Sequence, residues 1–359
     1  MNSRDRIAAV LEHGRGDRVP LGELWIDPGV AEAILPGASA VELVEHLGMD
    51  LVTVPTMIYE EDEVEWVDRK RRVFRDKWGA LQIAPGKGVP VPTAPARIET
   101  EEDLAGYRPP DPAKSPVPGK VRKLKERYPN GEKAIAVVGE SGWAPAVFLR
   151  GGLQNLLLDF GLRPGFAKEL MRIGVEYYCE LYRSAVREGA DVVLLGDDYS
   201  DKNGPMMSPA QFEEIILPGD AAVVAAIQSA GAHCIKHTDG DIRKIMDMLV
   251  GTGVDCLGPL EPVPGMELER IFERYPGKIA VMGNLSIDLL SRGSAEEVRR
   301  ATKRVLATVS ARGPHILSSA NTIAASVKPE NFVAMVETAR EFGEHPIDAE
   351  ELLDELGGR

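Results

Sequence analysis

Five hydrophobic runs in the second half of the chain each end in a cluster of polar residues. The runs cover residues 192–195, 234–235, 254–260, 279–282 and 315–317. A run that is apolar nearly throughout is typical of a strand buried on both faces, as in a parallel sheet. Polar groups that recur at the same end of such strands are what a (β/α) barrel needs for a site at the carboxyl ends of its strands. The pattern therefore predicts a fold and the place of its chemistry.

Three earlier strands complete the predicted alternation of strand and helix, at residues 19–25, 51–54 and 134–138. The total of eight strands, each followed by a helix, is the number at which a (β/α)8 or TIM barrel closes. The alternative is an open, doubly wound sheet. That fold would favour a glycine-rich phosphate loop after the first strand, and residues 22–29 do not have the spacing of such a loop.

Residues 62–118 interrupt this alternation. Residues 64–67 and 73–78 have the pattern of antiparallel strands around a charged turn, and a proline-rich stretch follows them. We therefore predict one barrel domain over residues 1–343, with residues 62–118 as an insertion after the second strand. The polar and acidic residues 344–359 are predicted to form a frayed C-terminal tail.

Composition and charge restrict the class of protein. The chain has 359 residues, and its 44% hydrophobic and 27% charged content is that of a globular protein. A net charge of -14 disfavours a nucleic-acid partner, and no stretch approaches the ~20 apolar residues that a membrane span needs. The amino terminus lacks the apolar segment of a secretory signal, and the three scattered cysteines favour a reducing compartment. We therefore expect a cytoplasmic protein without a membrane partner.

His237 is the strongest candidate for chemistry. It closely follows a predicted strand, and Asp239 and Asp241 follow it in the same loop. An imidazole beside carboxylates can act as an acid, a base or a metal ligand. In an extended segment residues 237 and 239 point to the same side, so both could face the centre of the barrel. Asp241 is better explained as a cap of the next helix.

Further polar residues follow the other predicted strands. One of the adjacent Asp197 and Asp198 should face the site and the other should face away, because neighbours in an extended segment point to opposite sides. Glu261 could be an acid, a metal ligand or one half of a salt bridge. The residues expected to contact a ligand without reacting are Glu140, Trp143, Tyr199, Asn284, Ser319 and Asn321. The ring of Trp143 could equally pack in the core. Motifs of zinc proteases, serine hydrolases and P-loop enzymes are absent from the sequence.

The order and spacing of these strand ends resemble the uroporphyrinogen decarboxylase superfamily. The likeness is carried by SRDRI at 3–7, DRVP at 17–20, GPMMSPAQF at 204–212, HTDGD at 237–241, EP at 261–262 with GM at 265–266, and GN at 283–284. The fold that this resemblance implies is again the (β/α)8 barrel. Within the superfamily, true decarboxylases have an arginine-rich amino-terminal segment and an aspartate near the second strand. Here residues 21–27 contain no arginine and residues 54–56 contain no aspartate, which disfavours a substrate with eight carboxylates.

The resemblance is greater to the other branch, the corrinoid-dependent methyltransferases. Its coenzyme M members bind zinc through a His-x-Cys pair and a distant cysteine. His237 matches the histidine, whereas Asp239 and Asn321 stand where the two cysteines would be. The resemblance therefore implies donors such as methoxylated aromatics, whose leaving oxygen needs a proton or a metal. A set of nitrogen and oxygen ligands can still bind zinc, although less selectively than thiolates.

The leading hypothesis is a corrinoid-dependent methyltransferase that moves a methyl group between a small methylated donor and a corrinoid protein. The predicted catalytic residues are His237, Asp239, Asp198 and Glu261, and zinc could bind His237 together with Asp239 or Glu261. One alternative is a decarboxylase of a carboxylated, uroporphyrinogen-like substrate. The other is a non-catalytic protein that binds a tetrapyrrole or corrinoid. The resemblance also suggests a homodimer.

Overall fold

Parallel strands alternate with helices along most of the chain. The computed structural model describes residues 1–56, 64–84, 91–93 and 97–357. The strands are β1 Leu51–Pro55, β2 Glu65–Asp68, β3 Val73–Arg75, β4 Leu81–Ile83, β5 Val91–Pro92, β6 Ala134–Gly139, β7 Val192–Leu195, β8 Ser200–Asp201, β9 Gly204–Pro205, β10 His233–Lys236, β11 Cys256–Leu257, β12 Ala280–Leu285 and β13 His315–Ser319.

The helices cover the outside of the parallel sheet and one of its ends. They are α1 Ser3–Leu11, α2 Pro28–Ile34, α3 Ala40–Leu47, α4 Glu101–Gly106, α5 Val117–Arg127, α6 Trp143–Leu149, α7 Leu153–Leu162, α8 Pro164–Arg187, α9 Pro209–Gln211, α10 Leu217–Ala230, α11 Met246–Gly251, α12 Leu268–Arg274, α13 Ile287–Arg292, α14 Ala295–Val305, α15 Pro329–Phe342 and α16 Ala349–Glu355. A 3-10 turn at Pro112–Lys114 and π-helical turns at Phe212–Ile216 and Leu306–Ser310 complete them. None of the helices within the described ranges is both long enough and apolar enough to cross a membrane.

Seven strands form a curled parallel sheet in the order β1-β6-β7-β10-β11-β12-β13. An extended segment at residues 20–22 lies between its two edges. On one side the Leu317 amide donates to the Pro20 carbonyl at 2.9 Å, and on the other the Asp50 amide donates to the Leu21 carbonyl at 2.8 Å. The segment therefore serves as the first barrel strand and closes the sheet. The predicted (β/α)8 barrel is confirmed.

Side chains alternate between the inside of the barrel and the layer beneath the helices. Ala134, Ala136 and Leu194 belong to the inner cluster, together with Ile7 and Leu11 of α1, which covers the amino-terminal end of the barrel. The alternate residues of the same strands pack outward against the helices. Both faces of the sheet are therefore buried, which explains why its strands are apolar nearly throughout.

Asp50 joins three elements at the amino-terminal end of the barrel. Its carboxylate has no exposed surface and accepts hydrogen bonds from Arg6 of α1 at 2.6 Å and from Arg18 at 2.8 and 2.9 Å. It also accepts the Leu21 amide of the closing segment at 2.8 Å. Burial of this charge is compensated by two guanidinium groups and a backbone donor, as a buried ion requires.

A four-stranded antiparallel sheet, β2-β3-β4-β5, follows β1 in the chain. The two predicted antiparallel strands correspond to β2 and β3, and β4 and β5 extend the same sheet. Lys77 donates to the Thr56 carbonyl at 3.1 Å, and Trp78 packs edge-on against Tyr177 of α8. The sheet therefore lies against the barrel near the carboxyl end of β1. Residues 57–63, 85–90 and 94–96, which include parts of the predicted insertion, lie outside the described residues.

The end of the chain is more ordered than the sequence predicts. Residues 349–355 of the expected frayed tail form α16. Leu352 and Leu356, four positions apart, are both buried, and Lys303 of α14 pairs with Glu355 at 2.5 Å. Two leucines at helical spacing supply the apolar contact that holds this short helix against the domain. Residues 358–359 lie outside the described residues.

Candidate functional site

Asp198, His237 and Asp239 come together at the carboxyl ends of β7 and β10, which we call the mouth of the barrel. The Nε2 atom of His237 lies 3.5 Å from a carboxylate oxygen of Asp198 and 3.5 Å from one of Asp239. One ligand atom from each of the three residues lies within 4.8 Å of the others. The imidazole is buried, whereas both carboxylates are partly exposed, so a small molecule can approach them.

The pairing of two adjacent strands explains this convergence. The strands β7 and β10 are parallel neighbours, and the His237 amide continues their ladder by donating to the Leu195 carbonyl at 2.8 Å. The Asp239 amide then donates to a carboxylate oxygen of Asp198 at 2.9 Å. Ile235 points into the barrel, so His237, two residues later, points the same way. The cluster thus results directly from the order and register of the strands.

A hydrogen bond to a backbone carbonyl holds the ring of His237 in one orientation. Its Nδ1 atom lies 2.6 Å from the carbonyl oxygen of Pro259. Because a carbonyl oxygen can only accept, Nδ1 carries the hydrogen. The Nε2 lone pair therefore faces two carboxylates unless a proton or a cation lies between them. A histidine whose other nitrogen donates to a backbone carbonyl is the usual arrangement in protein metal sites.

Asp239 is held by a neutral partner. The side-chain amide nitrogen of Asn321 donates to both of its carboxylate oxygens at 2.9 Å. Burial raises the pKa of Asp239 to about 6; His237 opposes this shift, and the negative charges of Asp198 and Glu261 add to it. Glu261 accepts the Gly240 amide at 3.1 Å and so lies beside the cluster.

A cavity of 410 Å³ opens next to this cluster. Its lining residues are Glu261, Pro262, Ser286, Ile287, Asp288, Ala320, Asn321, Thr322 and Ala324. Glu261 and Asn321 are shared with the surroundings of the cluster. A cavity of this volume is within the range of small-molecule sites. Asn284, at the end of β12, is only partly buried, and its predicted contact with a ligand remains a prediction.

Asp197, the neighbour of Asp198, points into the layer beneath the helices, which we call the outer layer. Its carboxylate accepts hydrogen bonds from the amide and hydroxyl of Ser141 at 2.5 and 2.7 Å and from the Ala144 amide at 2.9 Å. It therefore satisfies donors at the start of α6, while Asp198 faces the cluster. This resolves the alternative that the dipeptide leaves open.

Tyr199 and Trp143 also lie in the outer layer, in contrast to their predicted contact with a ligand. The Tyr199 ring has no exposed surface, and its hydroxyl donates to the carboxylate of Asp220 at 2.8 Å. Trp143 is 4% exposed and packs edge-on against Tyr199 and Phe160. Residue 199 follows the outward direction of residue 197, which explains why its ring is directed away from the mouth.

Glu140 and Ser319 are likewise engaged inside the protein. Glu140 accepts from the hydroxyl of Tyr178 on α8 and from Thr56 at 3.2 Å. Burial raises its pKa to about 7, opposed by Lys77 and reinforced by Asp197. The amide and hydroxyl of Ser319 donate to Glu23 at 2.8 and 2.6 Å. Neither predicted ligand contact is therefore free of protein partners.

Two contacts of the predicted site residues could not be inferred from the sequence. The Pro259 carbonyl is a backbone group, so no side-chain pattern signals its contact with His237. Glu23 is signalled weakly, as a single carboxylate at the end of the apolar first strand. Burial raises the pKa of Glu23 to about 8, opposed by its two hydrogen bonds from Ser319.

Comparison with known proteins places this architecture in a family. Residues 79–342 match the family described as Uroporphyrinogen decarboxylase (URO-D). A uroporphyrinogen decarboxylase of Geotalea daltonii is 25% identical over 158 residues, which are 44% of this chain and 44% of that curated relative. Among solved structures, a methyltransferase from Methanosarcina mazei is similar in fold, with a TM-score of 0.76, 17% identity, and coverage of 95% of this chain and 99% of that one. Because the family match extends over well more than half of the sequence, the chain belongs to the uroporphyrinogen decarboxylase family.

Proposed function

We propose that this chain is a methyltransferase that moves a methyl group between a small methylated donor and a corrinoid carried by a partner protein. The observation that carries the proposal is the cluster of His237, Asp198 and Asp239 beside a cavity at the mouth of the barrel. With a proton or a metal ion on Nε2 of His237, such a cluster can neutralise the negative charge that forms on a heteroatom when its methyl group leaves. The likeness in fold to the Methanosarcina mazei methyltransferase supports the same conclusion.

The cluster has the chemistry of a zinc site. One imidazole nitrogen and two carboxylates are ligands that zinc accepts, and a catalytic site needs three protein ligands and one open position. The Pro259 carbonyl orients the imidazole, and Asn321 orients Asp239, as outer partners of metal ligands do. His237, Asp198 and Asp239 would hold the ion. A bound zinc ion would supply Lewis acidity toward the leaving heteroatom.

The residues of the chain have separate tasks in this scheme. The corrinoid on the partner protein would supply the nucleophile for the methyl group. His237 presents Nε2 toward the leaving heteroatom and, when protonated there, donates a proton to it. Asp198 and Asp239 stabilise the positive charge at that position, which lies 3.5 Å from each of them. The barrel rim and the cavity hold the donor next to this atom.

Methyl transfer to a Co(I) corrinoid tests the proposal. Purified protein is incubated with the corrinoid and with methoxylated aromatics and methylated amines, and formation of methyl–cobalt is followed by absorbance. We expect transfer from at least one donor and a loss of at least about 100-fold in His237→Ala, as for removal of a general acid. Asp241→Asn is the matched control, because Asp241 lies in the same loop but is paired with Arg243 at 2.7 and 2.9 Å. Absence of methyl–cobalt with every donor would contradict the proposal.

Decarboxylation is the second candidate, because the family description and the curated relative both carry that activity in their names. The residues that line the cavity disfavour decarboxylation. The described part of the lining contains no lysine or arginine, whereas a substrate with several carboxylates requires cationic partners. Release of carbon dioxide from uroporphyrinogen is the discriminating measurement, and we expect none above the level without protein.

A further inference from the structure

Among the described residues that line the cavity beside the cluster, the charged ones are all acidic. They are Glu261 and Asp288, and the other described lining residues are neutral. Glu261 is the one closer to the cluster, because its carboxylate accepts the amide of Gly240, the residue that follows Asp239. The donor site is therefore bordered by Glu261 as well as by Asp198 and Asp239.

The described residues at the cavity do not neutralise the carboxylates of Glu261 and Asp288. Arg292 lies 2.9 Å from Asp288, but both side chains are more than two-thirds exposed, at 83% and 71%, so solvent screens that pair. A divalent cation at the cluster would offset two carboxylates, Asp198 and Asp239, and Glu261 would remain as a third acidic group. With or without a metal ion, the described residues of the site therefore supply no excess positive charge for an anionic ligand.

The remaining lining suits an uncharged molecule. Asn321, Thr322 and Ser286 offer hydrogen bonds without charge, and the rest of the lining is apolar. The volume of 410 Å³ accommodates a single substituted aromatic ring. A carboxylate brought into this space would lose water without gaining a cationic partner among the described lining residues, and it would meet like charges. Both effects are unfavourable.

We propose that the site selects methyl donors without negative charge, so that a neutral methoxylated aromatic is preferred to its carboxylated analogue. This inference rests on the proposed methyl transfer and adds the charge class of the donor. Discrimination arises from the acidic residues of the described lining, not from the size of the donor. Two donors of nearly the same shape that differ by one carboxylate should therefore behave differently.

Guaiacol and vanillate provide this comparison, because both contain the same methoxyphenol unit and only vanillate carries a ring carboxylate. Two quantities are measured for each donor: the dissociation constant by calorimetry, and kcat/KM for methyl–cobalt formation. We expect guaiacol to bind at least about tenfold more tightly, which corresponds to ~1.4 kcal/mol. We expect the same preference, or a greater one, in kcat/KM.

Charge variants test whether the acidic border causes this preference. In Glu261→Gln and in Asp288→Lys the ratio of the two dissociation constants should fall toward one. Glu273→Lys is the control for Asp288→Lys, because it changes the net charge of the chain equally but lies at an exposed position near the end of α12, outside the described lining of the cavity. Its ratio should equal that of the unmodified protein.

Binding and turnover separate this inference from the proposed function. Equal or tighter binding of vanillate overturns the charge preference, whether or not methyl transfer occurs. The expected ratio of dissociation constants without methyl–cobalt formation from any donor supports the charge preference and contradicts the methyl transfer. Failure of both compounds to bind at millimolar concentration overturns the charge preference, whereas the methyl transfer is still decided by methyl–cobalt formation with the full set of donors.

Discussion

Replacing Glu23 with glutamine should make the protein more resistant to unfolding at alkaline pH. The Glu23 carboxyl is 3% exposed at the end of the closing segment, and its polar contacts are the amide and hydroxyl of Ser319. Burial raises its pKa from an ordinary 4.5 to about 8. Glutamine can accept the amide through its oxygen, and the Ser319 hydroxyl, which lies 3.3 Å from the Asn321 carbonyl, can turn to donate there.

The direction of the effect follows from the raised pKa. Below pH 4.5 the carboxyl is protonated in the folded and the unfolded chain, so its stabilising contribution is fully present. As pH rises from 4.5 to about 8, the unfolded chain ionises while the folded chain keeps the proton, and the free energy of unfolding falls. Each pKa unit between the folded and the unfolded chain corresponds to ~1.36 kcal/mol, so ionisation of Glu23 can lower the free energy of unfolding by at most about 5 kcal/mol. Glutamine does not ionise and removes this loss.

Urea denaturation at pH 5 and at pH 8.5 measures the effect. The difference in free energy of unfolding between Glu23→Gln and the unmodified protein should become more favourable to the variant by about 2–4 kcal/mol between the two pH values. Glu337→Gln on α15 is the control, because Glu337 is exposed, and it should show no comparable change. A pH-independent difference for Glu23→Gln would refute the reasoning, since it would mean that Glu23 is already ionised in the folded protein at pH 5.

Three further predictions concern the site, the closed end of the barrel and the outer layer. Asn321→Ala should weaken zinc binding by about 10–100-fold, measured by competition with a chelator, because Asp239 loses its orienting partner; unchanged affinity would contradict that role. Asp50→Ala should lower the free energy of unfolding, measured in urea, by about 3–5 kcal/mol, because it leaves two guanidinium groups without their buried partner. Asp17→Ala is the control, because that carboxylate is 46% exposed, and it should lower the free energy of unfolding by less than ~1 kcal/mol. Tyr199→Phe should lower the free energy of unfolding by about 1–2 kcal/mol and leave the KM for the donor unchanged. A raised KM would mean that Tyr199 contacts the donor after all.

Much of the fold is predictable because a parallel strand that is buried on both faces has an apolar sequence nearly throughout. Each of the later barrel strands is an apolar run, and the polar residue that follows marks the mouth. The C-terminal helix α16 is not predicted, because only Leu352 and Leu356 distinguish it from a polar tail. Short amphipathic helices depend on contacts with the rest of the domain, which the local sequence does not reveal.

The site is predictable where a strand continues without a bend. His237 and Asp239 follow the alternation of β10 and meet as expected. Asp197, Asp198 and Tyr199 show the limit of this reasoning, because the same alternation assigns two of them to the outer layer and one to the mouth. The sequence does not show which of these residues point toward the mouth. The register of β7 against β10 decides this.

Asp239 and Asn321 stand where the coenzyme M methyltransferases that the sequence resembles have cysteines, and the proposed metal site would differ accordingly. The amide nitrogen of Asn321 donates to both oxygens of Asp239, so Asn321 would orient a ligand and not bind the ion itself. Asp198, from the neighbouring strand, would supply the third ligand atom. The ligand set would then contain two carboxylates and one imidazole, and carboxylates suit manganese and magnesium as well as zinc. We therefore expect such a site to bind Mn²⁺ in competition with Zn²⁺ more readily than a thiolate site does, and to favour donors whose leaving atom is oxygen over those whose leaving atom is sulfur.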